Sequence, residues 1–187
     1  QIEKFIQELA WRDYWQRIWQ EKDINVAIKQ PQKAVENDAI SQCLVDANSG
    51  INAIDQAILK LYETGYMHNH LRMYVAALAC NVAKSHWRVP AQWMYYHLID
   101  GDWGSNALSW QWVCGANSRK KYLANQENIN RYTRSEQQHT FLDTDYESLA
   151  QLTTPSHLKP LNDKEHTTPL PNASSIQLDN SMPLCVY

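Results

Sequence analysis

The sequence predicts an all-α fold with an irregular C-terminal tail, and three observations support this. Apolar residues recur at helical spacing in several segments, and Gly or Pro stands where these segments end or begin. No run of alternating apolar and polar residues is long enough to build a sheet. Hydrophobic residues make up 44% and charged residues 20% of the 187-residue chain, a composition that permits a packed core.

The predicted helices follow one another along residues 2–21, 39–45, 51–64, 68–84, 90–99 and 105–114. In the first helix, Ile2, Phe5 and Leu9 open an apolar stripe at helical spacing. The short second helix lies in a more polar stretch that also contains Pro31. The third helix ends before Gly65, a residue that readily adopts the positive φ of a helix C-terminus.

Turn and capping residues bound the later helices. The helix over 68–84 is rich in Ala and Leu and apolar on most sides, which is typical of a central, buried helix. Pro90 suits the first turn of the next helix, and residues 100–102 form a turn after it. We expect Ser105 or Asn106 to cap the last helix.

The composition changes after the last of these helices. Five of the seven Pro lie in residues 155–187, and no Trp follows Trp112. We therefore divide the chain into a helical domain over 1–145 and an extended or irregular tail over 146–187. Because the chain opens without Met and inside a helical pattern, we expect it to be a piece of a longer protein or a processed one.

Composition also argues against several kinds of protein. The four Cys are widely spaced with no C-x-x-C pair, so we expect no metal site and assign the reduced thiols to a cytoplasmic protein. No run of about 18 apolar residues is present, so we expect no membrane span. The 17 Lys and Arg against 20 Asp and Glu give a net charge of −3. DNA binding would therefore need a local basic patch, for which residues 119–121 form a short run.

The first block with chemical content is D-G-D-W-G-S-N at residues 100–106, followed by W-Q-W at 110–112. Two carboxylates flank a glycine beside a helix start and three of the eight Trp. One interpretation is a turn that aims polar groups at a planar ligand between indole rings. The other is an acidic capping turn in front of a Trp-rich core helix.

The second block is G-Y-M-H-N-H-L-R-M at residues 65–73. His68 and His70 do not predict a metal site, because residues two apart on a helix point about 200° apart. Arg72 lies in a helix expected to be buried, so its charge needs an anionic partner. Asp100 and Asp102 are the candidates.

The third block, E-L-A-W-R-D-Y-W, places a carboxylate, a guanidinium and two indoles on one helix face: Glu8, Trp11, Arg12 and Trp15. This face either holds an exposed ion pair beside a half-buried Trp or stacks and hydrogen-bonds a base-like ligand.

In these three blocks, taken in order, the chain resembles the photolyase/cryptochrome family over about residues 1–125. The resemblance implies the helical, C-terminal FAD-binding domain of that family, with FAD in a folded conformation. It also implies light-driven electron transfer from reduced FAD to a cyclobutane pyrimidine dimer in DNA. The tail from about residue 145 is not covered.

The resemblance assigns roles to individual residues. It implies that FAD contacts Phe5, Arg72, Asp100, Asp102 and Asn106, with Asn106 at flavin N5. It implies catalytic roles facing the lesion or in the electron relay for Glu8, Trp11, Asn69, Met73, Trp87 and Trp110. It implies DNA contacts by Trp11, Arg12, Asn69, His70 and Trp112.

The chain departs from the family in four ways. We expect it to carry no antenna domain, and we expect the segment that cradles the FAD phosphates to lie upstream of residue 1, so FAD binding should be weak or absent. His70 replaces an Arg at the DNA-facing edge, and no Trp in residues 22–50 supplies a third relay member. Trp15 or Trp19 would substitute only if the fold brings one of them close to the other relay members. The leading hypothesis is a DNA repair flavoprotein that binds dimer-containing DNA. A cryptochrome-like photoreceptor or degenerate flavin module, and a helical domain without a ligand, remain alternatives.

Overall fold

The computed structural model describes residues 2–160, and in this range it contains eight α-helices and no β-strand beyond one isolated bridge. The helices are α1 (Ile2–Glu21), α2 (Gln42–Val45), α3 (Asn52–Thr64), α4 (Asn69–Ala77), α5 (Arg88–His97), α6 (Trp103–Val113), α7 (Gln126–Thr133) and α8 (Tyr146–Ala150). The prediction of an all-α fold is confirmed. Within residues 2–160, no helix is both long and apolar enough to span a bilayer.

The core lies where α3, α4, α5 and α6 pack against one another. In α3, Ile54, Ile58 and Leu61 follow one another at helical spacing and are buried on one face. Gly65 ends α3 with φ +69°, and its amide donates to the Leu61 carbonyl at 2.8 Å. A side chain at Gly65 would also approach Ile99 Cβ to 3.0 Å, so both backbone and packing favour glycine there.

The central helix is buried as predicted but is not one continuous α-helix. It consists of α4 and a π-helical turn over Leu78–Val82, and Lys84 at φ +56° follows that turn. Within the turn, Asn81 Nδ2 donates to the Val113 and Tyr122 carbonyls at 3.0 and 2.7 Å. The turn therefore fastens α4 to the end of α6 and to the chain beyond it.

Helix α1 has the predicted bounds, but its apolar stripe is not buried. None of its described side chains is buried, and Phe5 is 65% exposed. Only the second half of α1 packs on the body, through Trp15 and Ile18, and its main partner is α6. Gly104 permits this approach, because a Cβ there would lie 3.1 Å from Trp19 Cε3.

One buried amide holds the polar segment between α1 and α2. Gln111 of α6 donates from Nε2 to the Ile24 and Val26 carbonyls, both at 3.0 Å. Its Oε1 accepts from the Ile28 amide at 3.0 Å. The segment is thus fixed against α6 without regular structure of its own.

Two helices beyond α6 are missing from the sequence prediction. Helix α7 begins after Asn125, whose side chain accepts from the Asn128 amide, and it buries only Gln126 and Ile129. Helix α8 lies inside the segment predicted to be irregular, and its Leu149 packs into the core. Residues 161–187 lie outside the described residues, so the division of the chain at residue 145 stays a prediction.

Candidate functional site

A cleft of about 180 Å³ opens where α1, α4, α6 and the turn before α6 meet. Its lining includes most of the predicted site residues, namely Glu8, Trp11, Arg12, Asn69, Arg72, Met73, Asp100, Asp102, Asn106 and Trp110. These residues come from all three sequence blocks. The fold therefore brings the blocks together, although they are separated by long stretches of chain.

An ion pair between Arg72 and Asp100 closes one side of the cleft. Arg72 Nη2 lies 2.9 Å from both Asp100 carboxylate oxygens, and Arg72 Nε donates to the Met67 carbonyl at 2.7 Å. The predicted pairing is present, but the expectation that the pair is buried is wrong. The Asp100 side chain is 46% exposed, because the first turn of α4 and the turn before α6 meet at the surface.

Asp102 joins the cleft to the start of α6. Its side chain caps the helix by accepting from the Ser105 amide at 2.8 Å, so α6 begins earlier than predicted and neither Ser105 nor Asn106 is its cap. Asp102 also lies 3.3 Å from Arg12 Nη2 and accepts from Gln16 Nε2, both on α1. Asp102 therefore caps a helix, as one interpretation of the acidic turn proposed, and it also lines a cleft, as the other requires.

Polar groups and indoles share the interior of the cleft. Asn106 Nδ2 donates to the Ala91 carbonyl at 2.8 Å, which fixes the orientation of the amide. Among the described residues, Ser105 Oγ is buried without a hydrogen-bond partner. Trp11 and Trp15 stack with centroids 5.4 Å apart, and Trp110 is almost fully buried. This arrangement suits a flat heterocycle with polar edges.

Four predicted site residues lie outside this cleft. Phe5 is exposed on the free half of α1. Trp87 is fully buried and, within residues 2–160, makes no ring contact with Trp110. Trp112 is 41% exposed and lines a second groove, and His70 stacks on Tyr132 at 4.7 Å.

Trp103 is a neighbour of the buried Trp87 and is not among the predicted site residues. The two rings are 6.4 Å apart with an angle of 30° between their planes. Trp103 is partly exposed, and its Nε1 donates to Asn25 Oδ1 at 3.1 Å. The position of Trp103 inside the D-G-D-W block was the available signal. The spacing of residues along a helix does not reveal that its ring contacts Trp87.

The paired histidines of the second block are arranged differently from the expectation. His68 is the N-cap residue of α4 with ψ 143°, so it lies outside the helix. Its ring stacks on His70 at 5.4 Å with 7° between the planes, and the two rings do not point apart. Across residues 2–160, no group of three or more His, Cys, Asp or Glu is arranged to hold a metal ion.

Comparison with known proteins defines the class to which this fold and cleft belong. A family model described as the FAD binding domain of DNA photolyase matches residues 5–179. The chain therefore belongs to this family of photolyase FAD-binding domains, and FAD is its cofactor.

Individual relatives are similar over a shorter stretch. A deoxyribodipyrimidine photo-lyase of Neurospora crassa is 33% identical over 115 residues, which cover 58% of this chain and 19% of the relative. One from Synechococcus sp. is 33% identical over 133 residues, or 63% of this chain and 25% of the relative. A mitochondrial one from Saccharomyces cerevisiae is 31% identical over 114 residues, which cover 58% of this chain and 20% of the relative. The chain thus spans a fifth to a quarter of these relatives' length.

Proposed function

We propose that the chain is part of the C-terminal catalytic domain of a cytoplasmic, light-dependent DNA repair enzyme that splits cyclobutane pyrimidine dimers. The observation that carries the proposal is one cleft that combines the flavin set with the lesion set. The flavin set comprises Arg72, Asp100, Asp102 and Asn106, and the lesion set comprises Glu8, Trp11, Asn69 and Met73. Relatives named deoxyribodipyrimidine photo-lyases support the same reaction class.

The cleft suits the isoalloxazine ring of FAD. The amide of Asn106 can donate or accept at a ring nitrogen, and the unpaired Ser105 hydroxyl offers a further hydrogen bond. The cleft volume of about 180 Å³ is below the roughly 300–1,000 Å³ typical of complete ligand pockets. We therefore expect the chain to hold the ring and to contribute little to the rest of the cofactor.

When bound, reduced and excited by blue light, the flavin supplies the electron that splits the dimer. Around the lesion, the Trp11 ring offers a stacking face and the Met73 thioether a polarizable wall. Glu8 and the Asn69 amide line the same cleft and would hydrogen-bond the polar edges of the two bases. These four side chains would hold and orient a bound dimer.

A path for electrons from the surface would run through three tryptophans. Trp110 lines the cleft, while Trp87 is fully buried and cannot itself meet a reductant in solution. Trp103 stacks against Trp87 and is partly exposed, so we assign it as the surface end of this path.

A cryptochrome-like photoreceptor or a degenerate flavin module is the alternative. The cleft carries three carboxylates, Glu8, Asp100 and Asp102, against two guanidinium groups, Arg12 and Arg72. His70 stacks between His68 and Tyr132, where a permanent cation would strengthen contact with DNA phosphates. Both features weaken DNA binding at this cleft and favour a signalling role.

A photorepair assay separates these proposals. The chain is loaded with FAD, reduced and illuminated with an oligonucleotide that contains one thymine dimer, and restored thymine is measured. We expect light-dependent repair by the wild type. In Asn69→Ala the repair rate should fall about tenfold or more, because the variant loses one hydrogen bond to a charged or polar transition state. Lys60→Ala, at an exposed position on α3, is the control. Bound FAD without repair supports the photoreceptor. No bound FAD, even in a longer chain that includes the expected upstream phosphate-binding segment, supports the degenerate module.

A further inference from the structure

We infer that Gln16 is a positioning residue of the flavin site, which holds the Asp102 carboxylate in the orientation that accepts a hydrogen bond from the flavin. The inference rests on the proposed function, since it takes Asp102 as a flavin contact. Gln16 lies on α1 just beyond the third sequence block, and no site role is predicted for it. It is not among the residues that line the cleft, so it acts through Asp102 and not on the cofactor itself.

The Asp102 carboxylate is held from two helices. Its Oδ1 accepts from the Ser105 amide of α6 at 2.8 Å and from Gln16 Nε2 of α1. Its Oδ2 lies 3.3 Å from Arg12 Nη2, also of α1. A carboxylate oxygen has two acceptor positions, so both positions of Oδ1 are used and Oδ2 keeps one for a further donor. Because Asp102 lines the cleft, that position is available to an N–H or O–H of a bound flavin.

Gln16 is the donor that determines which way the carboxylate faces. The bond from the Ser105 amide fixes one oxygen of Asp102 but not the plane of its carboxylate. The Gln16 amide approaches the same oxygen from a second helix, and two donors from different directions define both the plane and the direction of Oδ2. Functional groups reach a productive geometry when hydrogen bonds from a surrounding shell lock them in this way.

Arg12 is a weaker anchor for this carboxylate. Its side chain is 55% exposed, so solvent screens its contact with Asp102 Oδ2. The resemblance also assigns Arg12 to DNA, and a guanidinium that turns to a phosphate leaves Asp102. Gln16 is only partly exposed and carries no charge, so a phosphate does not draw it away. Gln16 therefore holds Asp102 with or without DNA.

The fold confines the Gln16 amide against the first turn of α6. Its neighbours in α1, Trp15 and Ile18, pack against the core and fix this part of the helix. Gly104, the second residue of α6, leaves open the space that the amide occupies. A Cβ there would lie 3.0 Å from Gln16 Nε2 and 3.3 Å from Asp102 Oδ1. The amide thus lies between the bare backbone of this turn and the carboxylate that it holds.

The orientation of Asp102 affects the two oxidation states of a bound flavin differently. The oxidised ring is neutral, whereas the reduced ring is an anion at neutral pH once N1 has lost its proton. A carboxylate aimed at the flavin therefore stabilises the oxidised state more than the reduced state, which it repels. By holding Asp102 toward the flavin, Gln16 lowers the reduction potential of the bound cofactor and makes the reduced flavin a stronger electron donor.

Two measurements on the chain with FAD test the inference. Quenching of flavin fluorescence gives the affinity for oxidised FAD, and equilibration with reference dyes without oxygen gives the midpoint potential of the bound flavin. In Gln16→Leu we expect the affinity for oxidised FAD to fall about fivefold and the affinity for reduced FAD to change little. The midpoint potential should then rise by about 20 mV, since a tenfold ratio corresponds to about 30 mV for a two-electron couple.

Two further variants separate positioning from a structural role of the amide. Gln20→Leu makes the same change one turn further along α1, at an exposed position that lines neither the cleft nor the second groove, and should behave as the wild type does. Asp102→Asn keeps a residue that caps helices well but removes the charge. Adding Gln16→Leu to Asp102→Asn should therefore leave the midpoint potential unchanged.

Three results would overturn the inference: full FAD affinity in Gln16→Leu, reduced affinity with an unchanged potential, or the same shift of potential in the Asp102→Asn background. The second result would mean that Gln16 only docks α1. Each of them leaves the repair proposal intact, and failed photorepair with the expected shift contradicts only that proposal. Absence of FAD binding by the wild type, also in a longer chain with the expected upstream phosphate-binding segment, contradicts the proposed flavin cleft and the inference together.

Discussion

Single side chains at the cleft serve the fold and the site at once. Asp102 caps α6 and also holds Arg12 and Gln16 of α1, so a residue assigned to the cofactor also positions the helix that carries Glu8 and Trp11. The need of Arg72 for an acidic partner could be predicted from sequence, because a guanidinium in an apolar helix must be paired. Its exposure could not be predicted, because this depends on where the first turn of α4 lies.

Loss of the Arg72 pair should have a moderate effect on stability. We expect Arg72→Met to lower the free energy of unfolding by about 1–2 kcal/mol, because the pair is partly exposed and solvent screens it. Arg131→Met breaks the exposed pair with Glu127 and should cost less than about 0.5 kcal/mol. Urea unfolding of both variants measures the difference. Equal losses would show that Arg72 makes no more than a surface contact.

A histidine beside the buried Trp87 should make stability depend on pH. Burial lowers the pKa of His86 from its ordinary value, Asp38 opposes this, and Arg88 adds to it. The unfolded chain therefore binds the proton more readily, so the contribution of His86 is complete above the unfolded pKa of about 6.5 and is lost as pH falls below it.

The corresponding measurement is the urea midpoint between about pH 7.5 and pH 5.5. The wild-type midpoint should fall toward acid, and His86→Gln should fall less steeply because it has no proton to bind. His139→Gln serves as the control for an exposed histidine. Identical pH profiles of wild type and His86→Gln would contradict this account.

At the scale of elements, α1 differs from the other helices because it lies on the body and not within it. The sequence predicts its bounds from helical spacing, but spacing cannot show whether an apolar stripe meets a partner. Helix α7 was not predicted, because it has too few apolar residues to show helical spacing. Only Gln126 and Ile129 are buried in it. The π-helical turn could not be predicted either, because its segment is apolar on most sides and shows no change of spacing there.

The close packing of α1 on α6 depends on glycine at position 104, which has no side chain. In Gly104→Ala, the new Cβ would lie 3.0 Å from Gln16 Nε2 and 3.1 Å from Trp19 Cε3, so these side chains must shift by a few tenths of an ångström and α1 packs less closely on α6. We expect trypsin to cleave several-fold faster after Arg12 and Arg17, with little change in melting temperature, because no described residue of α1 is buried. Gln92→Ala, at an exposed position of α5, is the control. An unchanged cleavage rate would show that α1 docks without this contact.

At the scale of the molecule, the cleft is a meeting point of segments that folding brings together around α6. The three blocks could be predicted to form one site because they resemble a known family in order and spacing. The second groove, which Trp112 also lines, could not be predicted. Lys29 and Arg119 line it from irregular segments whose positions depend on hydrogen bonds of Gln30 and Gln111. Sequence patterns report helix faces, whereas such loop positions follow from hydrogen bonds formed only in the fold.

Titration of the chain with FAD tests the central claim, that the cleft holds the flavin ring, most directly. Quenching of flavin fluorescence should be saturable, and both Asp100→Ala and Asn106→Ala should weaken binding about tenfold, since each removes a hydrogen bond to the ring. Glu63→Ala, an equal change of charge at an exposed position of α3, should bind FAD as the wild type does. No saturable quenching up to the solubility limit of FAD, or equal affinities in all four proteins, would contradict the claim.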